Sequence, residues 1–195
     1  KFSPYQQTMK NTSGIASVLM VLNYMGYDVK DEYSELNLLN KYEQANKTTV
    51  YGNGTNPQGL KNLVDSLNLG WEASISGLNV STKTNAINAL EQCIKDGKFV
   101  LVRWQSPKDF GWKVIIGYDR MGLVLSDVTK QMYDSENDDT MVFAEPYDCS
   151  DHYQDGYATV RMREFYMWWC NMAVNGNITD QYNYVVIDPK IDIDF

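Results

Sequence analysis

Histidine is almost missing from this sequence: one residue, His152, stands alone in 195. Cysteine is scarce as well, with Cys93, Cys149 and Cys170 forming an odd set that lacks any C-x-x-C spacing. Such a set fits neither a disulfide framework nor a zinc site. Cys93 falls in a helical pattern and Cys170 follows Tyr166-Met167-Trp168-Trp169, so both read as small core residues. Positive charge is short, with 17 basic against 25 acidic residues and a net charge of −8. That balance argues against binding a phosphate backbone, so no nucleic-acid partner is expected. No apolar run approaches membrane-spanning length and no signal peptide is visible, so no membrane span is expected in this chain. The acidic run Asp134 to Thr140 lacks the regular ligand spacing of a calcium loop and reads as a solvated hairpin tip. Neither a metal nor a cofactor is expected. What is present is ordinary globular material, 44% hydrophobic and 13% aromatic, enough to bury a substantial core. Few lysines, many Asn and Tyr, and no need for disulfides suit a secreted protein of a Gram-positive bacterium. An extracellular or cell-surface location is therefore the expectation.

The stretch that organises the chain is Gln7 to Gly26, QTMKNTSGIASVLMVLNYMG. Nearly every position from Ile15 to Met25 is apolar or small, which marks a helix buried on almost all sides. Gly26 stops it. Asn11, Thr12 and Ser13 sit at its start, where side-chain oxygens meet free backbone N–H groups. A nucleophile there would feel the positive end of the helix dipole, which favours an anionic form. A buried helix with a Ser/Thr N-cap is the competing reading of the same residues.

The rest of the chain divides by periodicity. Residues 28–47 are polar and helix-forming, Pro57 opens a helix capped by Thr55 or Asn56, and Thr82 to Asp96 is a further helix. Between the last two, WEASIS is a short extended piece. After residue 97 the pattern becomes short and β-rich: Phe99 to Val102, Val114 to Tyr118, Met141 to Ala144, Tyr157 to Val160 and Tyr184 to Ile187. Arg163 to Met172 reads as an aromatic helix. No internal repeat or low-complexity linker interrupts the sequence. One α+β domain over 1–195 is expected, helical in 1–97 and mainly β in 98–195.

Two motifs carry a resemblance. A Gln, five residues, a nucleophile, Gly and a buried helix ending in N-Y-x-G resembles papain-like cysteine peptidases, in particular their bacteriocin-processing branch. There the run usually reads Q-x5-C-G-x-A-S. The second motif is Phe110-Gly111-Trp112-Lys113-Val114-Ile115-Ile116-Gly117-Tyr118-Asp119, which resembles the family's G-H-[WFY]-x-V-[IV]-[IV]-G-Y-D strand. Ala144-Glu145-Pro146 resembles the strand end that carries the family's orienting Asp. The resemblance implies a papain-like fold, a buried central helix on a twisted antiparallel sheet. It makes Gln7 the oxyanion-hole donor, Ser13 the nucleophile position, Gly111 the histidine position and Glu145 the orienting carboxylate. Anchoring one residue later would put Trp112 at the histidine position instead. Only Gln7 keeps the family's residue.

Such a site needs a thiolate, an imidazole and a group that orients the imidazole. Glycine cannot shuttle a proton, and a serine hydroxyl is a poor nucleophile without a base. The expectation is a peptidase-like domain without catalysis that binds a peptide or protein segment in the former groove, lined by Gln7, Trp104 and Trp112. Within the family, degenerate domains of export transporters hold substrate polypeptides uncut. The acidic net charge favours basic or neutral peptides. The alternative is an active peptidase or amide hydrolase in which Ser13, standing for Cys, or Cys149 works with His152. A lone His among Asp148, Asp151 and Asp155 is more simply a structural one, and a plain module of a larger surface protein is the third reading.

Overall fold

The computed structural model describes residues 1–120, 139–148, 154–170 and 182–191. Helix α1 spans Ser13–Tyr24, with Gly14 to Leu22 buried without a break. An amphipathic helix would leave one side wet; this one is apolar all round and so is enclosed. Its end follows the expected glycine, since Gly26 takes φ +89°, a conformation that side-chain-bearing residues avoid. At the start the structure differs from a Ser/Thr cap. Thr12 occupies the cap position, yet its hydroxyl donates to the Met9 carbonyl at 2.7 Å and caps no helical N–H.

Helix α2, Glu35–Asn46, is shorter than the polar run 28–47 suggests. Asp28 accepts from the backbone N–H groups of Lys30 and Asp31 and folds the first part into turns. Ser34 then caps α2 at the Asn37 N–H. Helix α3, Pro57–Ser66, is capped by Asn56, and α4, Lys83–Lys95, by Thr82. Helix α5 runs Met162–Cys170; the rest of the expected aromatic helix lies outside the described residues.

The strands are β1 Glu72–Ser74, β2 Phe99–Gln105, β3 Phe110–Asp119, β4 Thr140–Ala144, β5 Tyr157–Arg161 and β6 Tyr184–Asp188. They form one antiparallel sheet in the order β1-β6-β2-β3-β4-β5. The short β1, from the helical half, is thus stitched to the last strand. Strand alternation splits the core into two layers. Leu101, Trp112, Val114, Val185 and Ile187 face α1, α2 and α3. Val100, Val102, Trp104, Ile115, Phe143 and Val186 face α4 and α5. The first layer sets α1 against the middle of the sheet, so its N-terminus lies beside the start of β3.

Candidate active site of a peptidase-type fold

Gly14 explains how close α1 comes to its neighbours. A methyl group there would sit 2.2 Å from the Thr55 hydroxyl oxygen and 3.1 Å from Leu60. Glycine lets the first turn of α1 settle onto α3, and this fixes Ser13 at the surface of the layer. Ser13 is half-buried, and its Oγ accepts a 3.0 Å hydrogen bond from the Trp112 backbone N–H. That bond ties the helix start directly to β3.

Gly111 precedes Trp112 and stands opposite Trp104 in the β2–β3 register. A Cβ built on it would lie 3.0 Å from Ser13 Oγ and 3.5 Å from Asp109 Oδ1. The side chain missing at Gly111 is therefore one that would meet the Ser13 hydroxyl. Its φ lies outside the left-handed range, so nothing in the backbone itself demands glycine.

Gln7 lies in the segment that enters α1. Its backbone N–H donates to the Pro146 carbonyl at 2.9 Å, which brings it beside the Glu145-Pro146 turn. Its side-chain Nε2 is spent on the Met9 carbonyl at 3.0 Å, while Oε1 is buried without a hydrogen-bond partner. Glu35 holds this segment from behind. Its carboxylate is buried and accepts from the Thr8 N–H at 3.1 Å on each oxygen, and from the Thr8 hydroxyl.

Between Gly111 and Glu145 stands a side chain that sequence reasoning passed over. Lys113 is 1% exposed and its ammonium pairs with Asp109, donates to the Gly111 carbonyl at 3.3 Å, and lies 3.7 Å from Glu145 Oε1. It also sits over the Trp104 ring, 4.5 Å from the centroid. Taking an ammonium out of water is costly unless it is paired and hydrogen-bonded; two carboxylates, a carbonyl and an aromatic face supply that here. Glu145, itself buried, is thus engaged by a lysine.

Ser13, Gln6, Gln7, Lys10, Lys108, Asp109, Phe110 and Tyr147 border one open cleft of about 500 Å³. Trp104 and Trp112, expected as lining, are core residues instead. Strand alternation turns Trp112 towards α1 and Trp104 into the α4–α5 layer, so both rings are buried. Two exposed aromatics, Phe110 and Tyr147, stand at the cleft in their place. His152 and Cys149 lie outside the described residues. Among the described residues no group of three or more His, Cys, Asp and Glu could hold a metal. No described helix is long and apolar enough to cross a membrane. The thiols of Cys93 and Cys170 are both pushed up by burial, the opposite of an activated nucleophile.

No family model and no curated protein matches the sequence. Solved structures do match the fold. The peptidase domain of Streptococcus ComA, a bifunctional ABC transporter involved in a quorum-sensing pathway, superposes with a TM-score of 0.54. The match covers 96% of each chain at 13% sequence identity. At that identity the likeness is one of fold, and the fold of this chain is that of a papain-like peptidase domain.

Proposed function

We propose that this chain is a peptidase-like domain of the bacteriocin-processing type that holds a peptide or protein segment beside Ser13 without cutting it. The observation that carries the reading is Gly111. The position facing Ser13 Oγ has no side chain, so no imidazole reaches the hydroxyl from β3. Loss of a general base forfeits roughly 10²–10⁴ in rate, and Ser13 in place of a thiol weakens the covalent route further. Lys113 adds to this, since Glu145 already has a cationic partner in the place where it would orient an imidazole. The open cleft with two exposed aromatics suits binding. An extracellular or cell-surface setting in a bacterium belongs to the same proposal.

Incubation with a peptide library, followed by mass spectrometry, tests the reading. No cleavage is expected. Turnover near the rate of working papain-like enzymes, abolished by Ser13→Ala, overturns it. Turnover abolished by His152→Ala or Cys149→Ala selects the active-hydrolase alternative instead.

A further inference from the structure

Two polar groups that border the cleft hold hydrogen-bonding capacity that the described residues do not use. The first is Ser13. Its Oγ accepts from the Trp112 N–H, and its own proton goes to no acceptor among the described residues. Accepting that bond polarises the hydroxyl and makes it a better donor. The second is Asp109. Ser106 fixes its backbone in the β2–β3 turn: the Ser106 N–H donates to the Asp109 carbonyl at 2.8 Å, and the Ser106 hydroxyl oxygen accepts from the Asp109 N–H at 3.1 Å. The Asp109 side chain is only 8% exposed, and its Oδ2 takes the Lys113 ammonium. Its Oδ1 has no hydrogen-bond partner among the described residues.

The two converge on one point. The Cβ direction at Gly111 ends 3.0 Å from Ser13 Oγ and 3.5 Å from Asp109 Oδ1. One of these oxygens carries a proton to give and the other is an acceptor only, so together they complement a group that accepts and donates within a few atoms. A side-chain carboxamide does this with its adjacent oxygen and NH₂, and a hydroxyl with a single atom. A carboxylate lacks the donor, an ammonium lacks the acceptor, and an aliphatic chain lacks both. The charge on Asp109 is already answered by Lys113, which removes the local need for a cation.

We infer that the bound segment presents a neutral side chain that both accepts and donates, a carboxamide or a hydroxyl, beside Gly111, where it bridges Ser13 Oγ and Asp109 Oδ1. This rests on the peptide-binding reading above and names the chemistry that the same cleft recognises. Ser13 then serves as a hydrogen-bond donor to the ligand and not as a nucleophile. Asp109, pinned by Ser106 and Lys113, is held ready as the acceptor, so little ordering is needed when the ligand arrives. The bare Cα of Gly111 leaves the approach between the two oxygens open, and a methyl group there would narrow it.

Fluorescein-labelled random hexapeptide pools, amidated at the C-terminus and differing only in one fixed central residue, test this by anisotropy. The fixed residue is Asn, Ser, Leu, Asp or Lys. The Asn pool or the Ser pool should bind about two- to tenfold more tightly than the Leu pool, the range for one net hydrogen bond. The better of the two identifies the bridging group. The Asp and Lys pools should not share the advantage. Gly111→Ala, which sets a methyl 3.0 Å from Ser13 Oγ, should bring the favoured pool down to the Leu pool. Ser13→Ala should narrow the same advantage, and it keeps the test decisive if Gly111→Ala fails to fold, since it leaves the Asp109–Lys113 pair in place. Equal binding of the Asn, Ser and Leu pools, or tightest binding of the Asp or Lys pool, would overturn the bridging group and leave peptide binding standing. No binding of any pool would remove the peptide-binding reading, and this inference with it.

Discussion

Two regions meet at the Trp104 ring, and they are filled in opposite ways. Over its face lies Lys113, whose ammonium sits 4.5 Å from the ring centroid and answers to Asp109 and Glu145. Phe143 packs edge-on to the same ring at 4.7 Å, followed by Phe165 and Trp169 in an aromatic layer under α5. The layer owes its cohesion to area and ring geometry, which tolerate gradual repacking. The charged cluster owes its existence to completeness: each member is affordable only while the others are present. The buried lysine close to Gly111 is thus held by its partners and not by packing alone.

The contrast can be broken from either side. Phe165→Ala removes a fully buried ring and is expected to cost about 3–5 kcal/mol, measured by urea denaturation. Lys113→Met should cost a similar amount, about 3–5 kcal/mol, because it strands buried carboxylates. The two differ in how they are repaired. Adding Asp109→Asn and Glu145→Gln to Lys113→Met should recover most of the loss, since the remaining groups are neutral. If the triple variant were no more stable than Lys113→Met, the cluster would be held by packing, and the distinction between the two regions would fall.

A second test asks whether the charged cluster blocks thiol chemistry. In a Cys149→Ala background, Ser13→Cys with Gly111→His places an imidazole against the new thiol, since the Gly111 Cβ direction ends 3.0 Å from Ser13 Oγ. The backbone at Gly111 accepts a side chain, and the crowding falls on position 13. Glu145 is already engaged by Lys113, so this pair alone should leave the alkylation rate near that of Ser13→Cys. Adding Lys113→Leu takes that ammonium away from the carboxylate, and alkylation at pH 7 should then rise by about tenfold, the effect of one unit in thiol pKa. Cys93, buried with its thiol pushed up, is the internal reference. A full rise in the double variant would show that Lys113 is no obstacle.

The difference between the regions also explains what could be read beforehand. Helix α1 and the strand order of residue types follow from apolar runs, which leave marks along the chain, and the meeting of Ser13 with the start of β3 was expected from the resemblance that two local motifs carry. Lys113 left none. Within FGWKVII it occupies an alternation position shared with Ile115, and only the turn at Ser106 to Asp109 brings an acid four residues away back over it. Glu35 is equally silent, 27 residues from the Thr8 it holds. Trp104 and Trp112 misled for the converse reason: nearness to Gly111 in sequence says nothing of which face a strand side chain takes, and alternation sends both rings inward. The tie between β1 and β6, from different halves of the chain, had no local signal either.

The finest distinction concerns the polar groups that the aromatic layer does admit. Tyr166 and Tyr182 share a hydroxyl–hydroxyl hydrogen bond of 2.8 Å, and Tyr182 stands edge-on to Trp169 at 5.1 Å. Burial, and then the bond to Tyr166, push the Tyr182 phenol well above its usual range. This layer therefore accepts the neutral hydroxyl and resists the phenolate, whereas the Lys113 cluster is built from charges. A folded-state pKa above the unfolded value contributes stability that is complete below about pH 10. It is lost as pH climbs through the folded value. Tyr182→Phe should accordingly flatten the loss of stability above pH 10, while costing only about 1 kcal/mol at pH 7 from the broken hydrogen bond. Urea midpoints taken from pH 7 to pH 11 compare the two proteins. Parallel decline in both would mean that Tyr182 ionises without penalty, and that the aromatic layer is wetter at its edge than the rings of Trp169 and Tyr166 imply.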